Sequence, residues 1–334
     1  AGKFLQVQAL LRSEYSDHSI PWPGQSADPA FSCNPLPAPF SQVRHGALYS
    51  VFPPLFAVVS SVLFEWFGPT GLYILPALCS LLMLIGLGEI ARLAGLGPRG
   101  QFAAIVLAAL ATPVWFYSVT FWEHTIAACL CIWGLVFGLR FLSTSASRDA
   151  ALATLFPAVA AGFRDDALLF LAALVLVLLA RRRENRNRKI GAAILGAAPV
   201  LVLLWLFQWK AVGHPFGIHA GSHFAAESGL VSHLLARPAV FFRHFLSAHP
   251  DSWLSLLLSL PFFALFLLNP AFSRKRLPLA VAIAGIAALA ASGWALRGYL
   301  SSAPLQYMIK ASNSLFVAAP LAVLAFVRVD DSDE

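Results

Sequence analysis

Two short strings place ionisable side chains directly against long apolar runs: Trp122-Glu123-His124 and Arg164-Asp165-Asp166. A carboxylate in such a place can take a proton from a hydroxyl, and a cation can hold an anionic group as its charge grows. A third set lies near the start of the chain, where Lys3, Glu14 and Asp17 occur within one helix-length segment. The first two sets each have a plainer alternative. Glu123 and His124 would also suit the start of a helix, where an anion is favoured, with Trp122 in an interfacial aromatic belt. Asp165 and Asp166 would likewise suit the start of the next helix, neutralised by Arg164. Ionisable groups at membrane depth nonetheless mark function by default, because burying them is costly.

The remaining polar residues are less specific. His214, His219, His223 and Glu227 fall in one stretch, and His219 and His223 are four apart. That spacing puts two imidazoles on one helical face, but surface histidines do the same and further ligands would have to come from elsewhere. No metal site is assigned there. A divalent metal stays open as a cofactor through Asp165 or Asp166.

The elements that must carry these groups follow from hydropathy. The chain has 334 residues, 59% of them hydrophobic and 12% charged. Its apolar runs are nearly free of charge, and about 20 such residues cross a hydrocarbon layer of roughly 30 Å. Backbone groups find no water there, so the runs are expected to be helices. The prediction is an all-α, polytopic transmembrane bundle with spans near 71–91, 101–118, 124–142, 150–163, 166–180, 190–210, 252–269, 277–296 and 312–328. Residues 1–70 form an extracytoplasmic first loop with amphipathic and interfacial helices, 71–328 the bundle with an outer loop at 211–251, and 329–334 an acidic cytoplasmic tail.

Charge placement orients the bundle. Basic residues cluster between spans, most densely from Arg181 to Lys189, which is the positive-inside pattern. The cytoplasmic loops and tail then hold 14 Lys and Arg against 7 Asp and Glu, and the outer face holds 9 of each with all nine histidines. This placement explains the net charge of +7 without nucleic acid. The basic stretches 140–148 and 181–189 belong on one side, so two short helices must lie between them, meeting at Arg164-Asp165-Asp166. Each has about 14 apolar residues, or about 21 Å, which sinks the turn into a protein-lined cavity. The run 48–67 is expected to be interfacial or re-entrant because it carries Pro53-Pro54 and Glu65. Phe4, Val7 and Leu11 predict an amphipathic helix on the membrane. Cys79, Cys129 and Cys131 fall within spans, so no disulfide framework is implied. Without a signal peptide or a first hydrophobic anchor, a further helix is expected ahead of Ala1.

Several strings, read in order, resemble a known family. They are the run from Tyr49 to Gly68 with its Phe52-Pro53-Pro54-Leu55-Phe56 core, Ala91-Arg92-Leu93-Ala94, Thr112-Pro113 with Phe116-Tyr117-Ser118, Trp122-Glu123-His124-Thr125, and Gly162-Phe163-Arg164-Asp165-Asp166. Together they resemble the bacterial integral-membrane glycosyltransferases of the C superfamily, which include protein O-mannosyltransferases and the lipid A aminoarabinose transferase. The resemblance runs over most of residues 1–270.

It implies sugar transfer from a polyprenyl-phosphate donor to a glycan, lipid or protein acceptor, at the outer face of the cytoplasmic membrane. It also implies an acid in the first outer loop. Glu14 and Asp17 are the candidates here, with Asp165 and Asp166 as further catalytic candidates. Lys3, Glu123, His124 and Arg164 are the candidates for binding substrate, Arg164 through the carrier phosphate. The rival expectation is a transporter or flippase of lipid-linked substrates. The lack of an internal repeat and the one-sided polar residues weigh against it.

Overall fold

The structure is a computed structural model that describes residues 2–34, 36, 40–110, 114–165, 167–180 and 186–218. The predicted spans 252–269, 277–296 and 312–328 lie outside the described residues, as do His219, His223, Glu227, most of the outer loop 211–251, and the tail. Nine helices and one hairpin are present among the described residues.

The first segment opens with α1 (Gly2–Arg12), which docks on α2 (Pro54–Phe67). Its buried face differs from the one expected. Lys3, Gln6, Val7 and Leu10 point inward, whereas Phe4 and Leu11 flank the contact. The inward positions still follow the i, i+3, i+4, i+7 rule. The stripe is rotated because Lys3 finds a partner inside the protein.

Between α1 and α2 an antiparallel hairpin departs from the all-helical expectation. Strand β1 (Ser41–Arg44) pairs with β2 (Ala47–Ser50), Gln42 opposite Tyr49 and Val43 opposite Leu48. The loop is the pair His45-Gly46, with φ of 50° and 74°. Two successive positive φ values make the tight turn whose twist matches a hairpin. Ile20 adds a bridge to Leu48, its N–H donating to the Leu48 carbonyl at 2.6 Å. The Arg44 guanidinium donates to the Val212 carbonyl at 2.9 Å, and His18 packs edge-on against Phe207 with ring centroids 5.8 Å apart. These contacts fasten the first loop to the end of α9.

The helical body follows the predicted order closely. It comprises α3 (Gly71–Leu93), α4 (Pro98–Leu110), α5 (Val114–Ser118), α6 (His124–Thr144), α7 (Ser147–Ala160), α8 (Ala167–Ala180) and α9 (Arg186–Val212). The run expected as one span at 101–118 is represented by α4 and α5, and residues 111–113 lie outside the described residues. Pro54 stands in the first turn of α2, where a proline loses no helical hydrogen bond. Among the described residues, three stretches are long and apolar enough to cross a membrane: Pro54–Leu93, His124–Thr144 and Ile190–Val212. The first joins α2 to α3 through the 3-10 turn Gly68–Thr70. Helix α9 leaves Leu195, Leu203 and Trp209 largely exposed, the surface a lipid-facing helix presents.

Helix α6 is the centre of the body, packed by α3, α7 and α8. Trp133 donates its indole N–H to the Leu82 carbonyl at 3.1 Å, and Arg140 reaches Glu89 at 2.5 Å. Both numbers rise together, so α3 and α6 run parallel, which a return pass through α4 and α5 allows. Helix α7 runs back against α6. A Cβ at Gly134 would lie 2.6 Å from Pro157, and one at Gly196 would lie 2.1 Å from the Ala151 carbonyl oxygen. The bare backbones therefore let α6, α7 and α9 approach closely. Among lipid-embedded helices such contact contributes through packing rather than through escape from water.

This arrangement gives the bundle two polar ends. At one, Glu89 accepts from Arg92 at 2.7 and 2.8 Å and from Arg140 at 2.5 and 3.2 Å. At the other, the start of α6, the start of α1 and the turn between α7 and α8 converge. His124 and Arg140 are separated by about 24 Å along α6.

Candidate functional site

Glu123 occupies the position before the first turn of α6, with φ −75° and ψ −4°. Its side chain makes no capping hydrogen bond to the helix. It forms an ion pair with Lys3 instead. That decides between the two readings of this carboxylate: its partner is a side chain 120 residues away, not the helix terminus. Lys3 is 7% exposed and Glu123 5%, so the pair is buried. The ammonium is walled by aromatic rings, 4.5 Å from the centroid of Phe52, 5.6 Å from Phe56 and 5.7 Å from Trp122. Ring faces attract a cation, and more strongly where water is excluded.

His124 extends the cluster. Its Nδ1 lies 3.6 Å from the other Glu123 oxygen. The Arg164 Nη1 lies 3.0 Å from Nδ1 and 3.1 Å from Nε2. The guanidinium is thus within hydrogen-bonding reach of both ring nitrogens, and the tautomer decides which of them accepts. Tyr117, Trp122 and His124 form a triangle of rings, with centroids 4.8 Å (Tyr117–His124), 5.1 Å (Trp122–His124) and 5.6 Å (Tyr117–Trp122) apart.

The turn that delivers Arg164 is built as expected. Two helices of 14 residues, α7 and α8, flank it. The backbone closes through Arg164 N–H to the Ala160 carbonyl at 2.9 Å and Ala167 N–H to the Arg164 carbonyl at 3.1 Å. Arg164 and Asp165 are half-buried. Lys3, Glu123, His124 and Arg164 are thus brought together from three separate elements. Asp165 adjoins them in sequence, and Asp166 lies outside the described residues.

Glu14 and Asp17 stand elsewhere. Both are exposed beyond the far end of α1, about 15 Å along its axis from Lys3. Glu14 adopts a left-handed φ of 51°, and Asp17 accepts from the backbone and hydroxyl of Ser19 at 2.8 and 2.6 Å. His214 accepts from the Phe216 N–H at 3.2 Å. Among the described residues no group of three or more His, Cys, Asp or Glu comes together to hold a metal ion.

Away from the cluster, burial pushes the His18 imidazole below its ordinary value, with neighbouring Asp17 opposing. Backbone N–H groups of Cys33 and Ser32 hold the Asp28 carboxyl down.

The rings of Phe52, Phe56 and Tyr117 are the site residues that sequence reasoning did not assign. A signal for the buried pair existed: Lys3 lies in register with Val7 and Leu10, a charge on an apolar stripe that has to be matched inside the protein.

The chain matches no known protein family, no curated protein and no solved structure.

Proposed function

We propose that this protein is a membrane glycosyltransferase that passes a sugar from a polyprenyl-phosphate donor to a glycan, lipid or protein acceptor. The proposed setting is the outer face of the bacterial cytoplasmic membrane, as the resemblance to the C superfamily implies. The observation that carries the reading is the Lys3–Glu123–His124–Arg164 cluster: two cations and a carboxylate concentrated at one end of an apolar bundle.

Each part has a task in such a reaction. The donor's tail lies among the spans and its phosphate faces Arg164. Glu123 takes the proton of the acceptor hydroxyl, whose oxygen then attacks the anomeric carbon. The bond from that carbon to the phosphate oxygen breaks, and polyprenyl phosphate leaves with more negative charge than it carried in the donor. Arg164 stabilises that increase, which is the part of binding that lowers the barrier. Lys3 holds Glu123 in place, and Asp165 orients Arg164. Glu123 takes the role of the first-loop acid because Glu14 and Asp17 stand at the other end of α1.

The test uses the protein in nanodiscs with a panel of labelled polyprenyl-phosphate sugars and acceptors from membrane extract. Transfer is expected for one donor class, with Arg164→Ala and Glu123→Gln each slowing it by about 10²–10⁴-fold. Unchanged transfer in both variants would overturn the site. Labelled lipid crossing the bilayer without donor consumption would replace this reading with a flippase.

A further inference from the structure

We propose that the Tyr117–Trp122–His124 ring cluster is a stacking platform for a pyranose ring, the subsite that holds the sugar beside the Glu123 carboxylate. The inference rests on the glycosyltransferase reading and adds where the sugar sits and which of its faces is read.

Three observations carry it. First, Trp122 is 43% exposed although it immediately precedes two residues that are buried. Trp122 is therefore the member of the ring cluster that a ligand can reach. Second, the ring is not a loose membrane anchor. Trp66 and Trp115 are 72% and 58% exposed, and their closest ring partners are their own sequence neighbours Phe67 and Phe116, edge-on. Trp122 instead lies nearly parallel to Tyr117, at 29°, and tilted on His124, at 36°. Tyr117 is 5% exposed and His124 7%, so the platform has a rigid base. Third, the polar groups flank the platform. Lys3 lies 5.7 Å from the Trp122 centroid, and Glu123 is the next residue.

A pyranose carries one face of C–H bonds and a rim of hydroxyls. The electron-rich face of an indole attracts the first, and charged donors and acceptors around it engage the second. A rigid base keeps the ordering cost of binding low. A hexose with its axial hydrogens on one face fits such a surface better than an acyclic polyol does.

The experiment uses the full chain in nanodiscs with 5-fluorotryptophan, the Trp122 resonance being assigned by its loss in Trp122→Phe. The probes are methyl α- and β-hexopyranosides, a polyprenyl-phosphate hexose, and the same polyprenyl phosphate without sugar. The Trp122 resonance is expected to shift with pyranosides and not with an acyclic hexitol. Trp122→Ala should weaken the lipid-linked hexose about tenfold, which corresponds to one aromatic contact, and leave the bare polyprenyl phosphate unchanged. Trp115→Ala should change neither. If the lipid-linked hexose binds and Trp122→Ala binds it equally well, the platform is overturned while the donor reading stands. If pyranosides shift Trp122 but no polyprenyl phosphate binds, the platform stands and the donor reading falls. If no pyranoside, free or lipid-linked, moves Trp122, the platform is overturned.

Discussion

Removing one member of the Lys3–Glu123 pair should be far more harmful than removing both. Both side chains are more than nine-tenths buried, and Lys3 is enclosed by Phe52, Phe56 and Trp122. In Glu123→Gln the ammonium stays in that enclosure without its counter-charge. In Lys3→Met the carboxylate is stranded at the start of α6. Stranding one ion of a buried pair costs about 3–5 kcal/mol, whereas replacing both by apolar groups of similar volume is close to neutral. Met keeps the length of the lysine stem, so packing against the three rings survives the exchange. The double variant Lys3→Met/Glu123→Gln should therefore cost less than the sum of the two single variants, keeping only the about 1–3 kcal/mol of a buried amide that has lost its partner. The coupling is read from a double-mutant cycle of unfolding free energies, measured in bicelles by steric trapping. Single substitutions costing under about 1 kcal/mol, adding simply in the double variant, would refute the buried pair.

Three further outcomes are expected. Gly196→Leu should force α9 away from the Ala151 carbonyl and destabilise the bundle by about 1–3 kcal/mol or more, measurable by the same trapping method; a neutral result would contradict the close approach of α7 and α9. Protonating His18 opposes its burial against Phe207, so docking of the first loop should be complete above pH 6.5 and weaken as pH falls from there through the lowered folded value. Hydrogen exchange over residues 13–53 reads this, and a His18 titrating at or above 6.5 would rule it out. Thiol labelling of Ser26→Cys and Asn187→Cys, both exposed positions, should occur from opposite sides of the membrane; labelling from one side would break the topology.

The sequence carried the helices better than their contacts. The parity of basic loops was enough to divide 150–180 into α7 and α8 around Arg164, because charge asymmetry acts over whole loops and survives any error in helix ends. The start of α6 at His124 was legible for the related reason that an apolar run began there. The hairpin went unread because His45-Gly46 is a weaker turn signal than Asn-Gly, and its strands are only four residues long. The site was half visible. Glu123, His124 and Arg164 stood out as charges beside apolar runs, and the structure gathers them. The Lys3 partner, 120 residues distant, and the walls made by Phe52, Phe56 and Tyr117 depend on how α1, α2 and α6 pack. No local pattern encodes that.

The proposed holding of a donor phosphate at the Arg164 end of the bundle is open to photo-crosslinking with a polyprenyl phosphate that carries a diazirine on the first isoprene unit, in nanodiscs, with the adducts mapped by mass spectrometry. Adducts are predicted on the α7–α8 turn and the start of α6, near Phe163 and Trp122, and Arg164→Ala should abolish them. Adducts spread evenly over lipid-facing positions such as Leu195 and Leu203, or adducts gathered at the Glu89–Arg140 end, would contradict it.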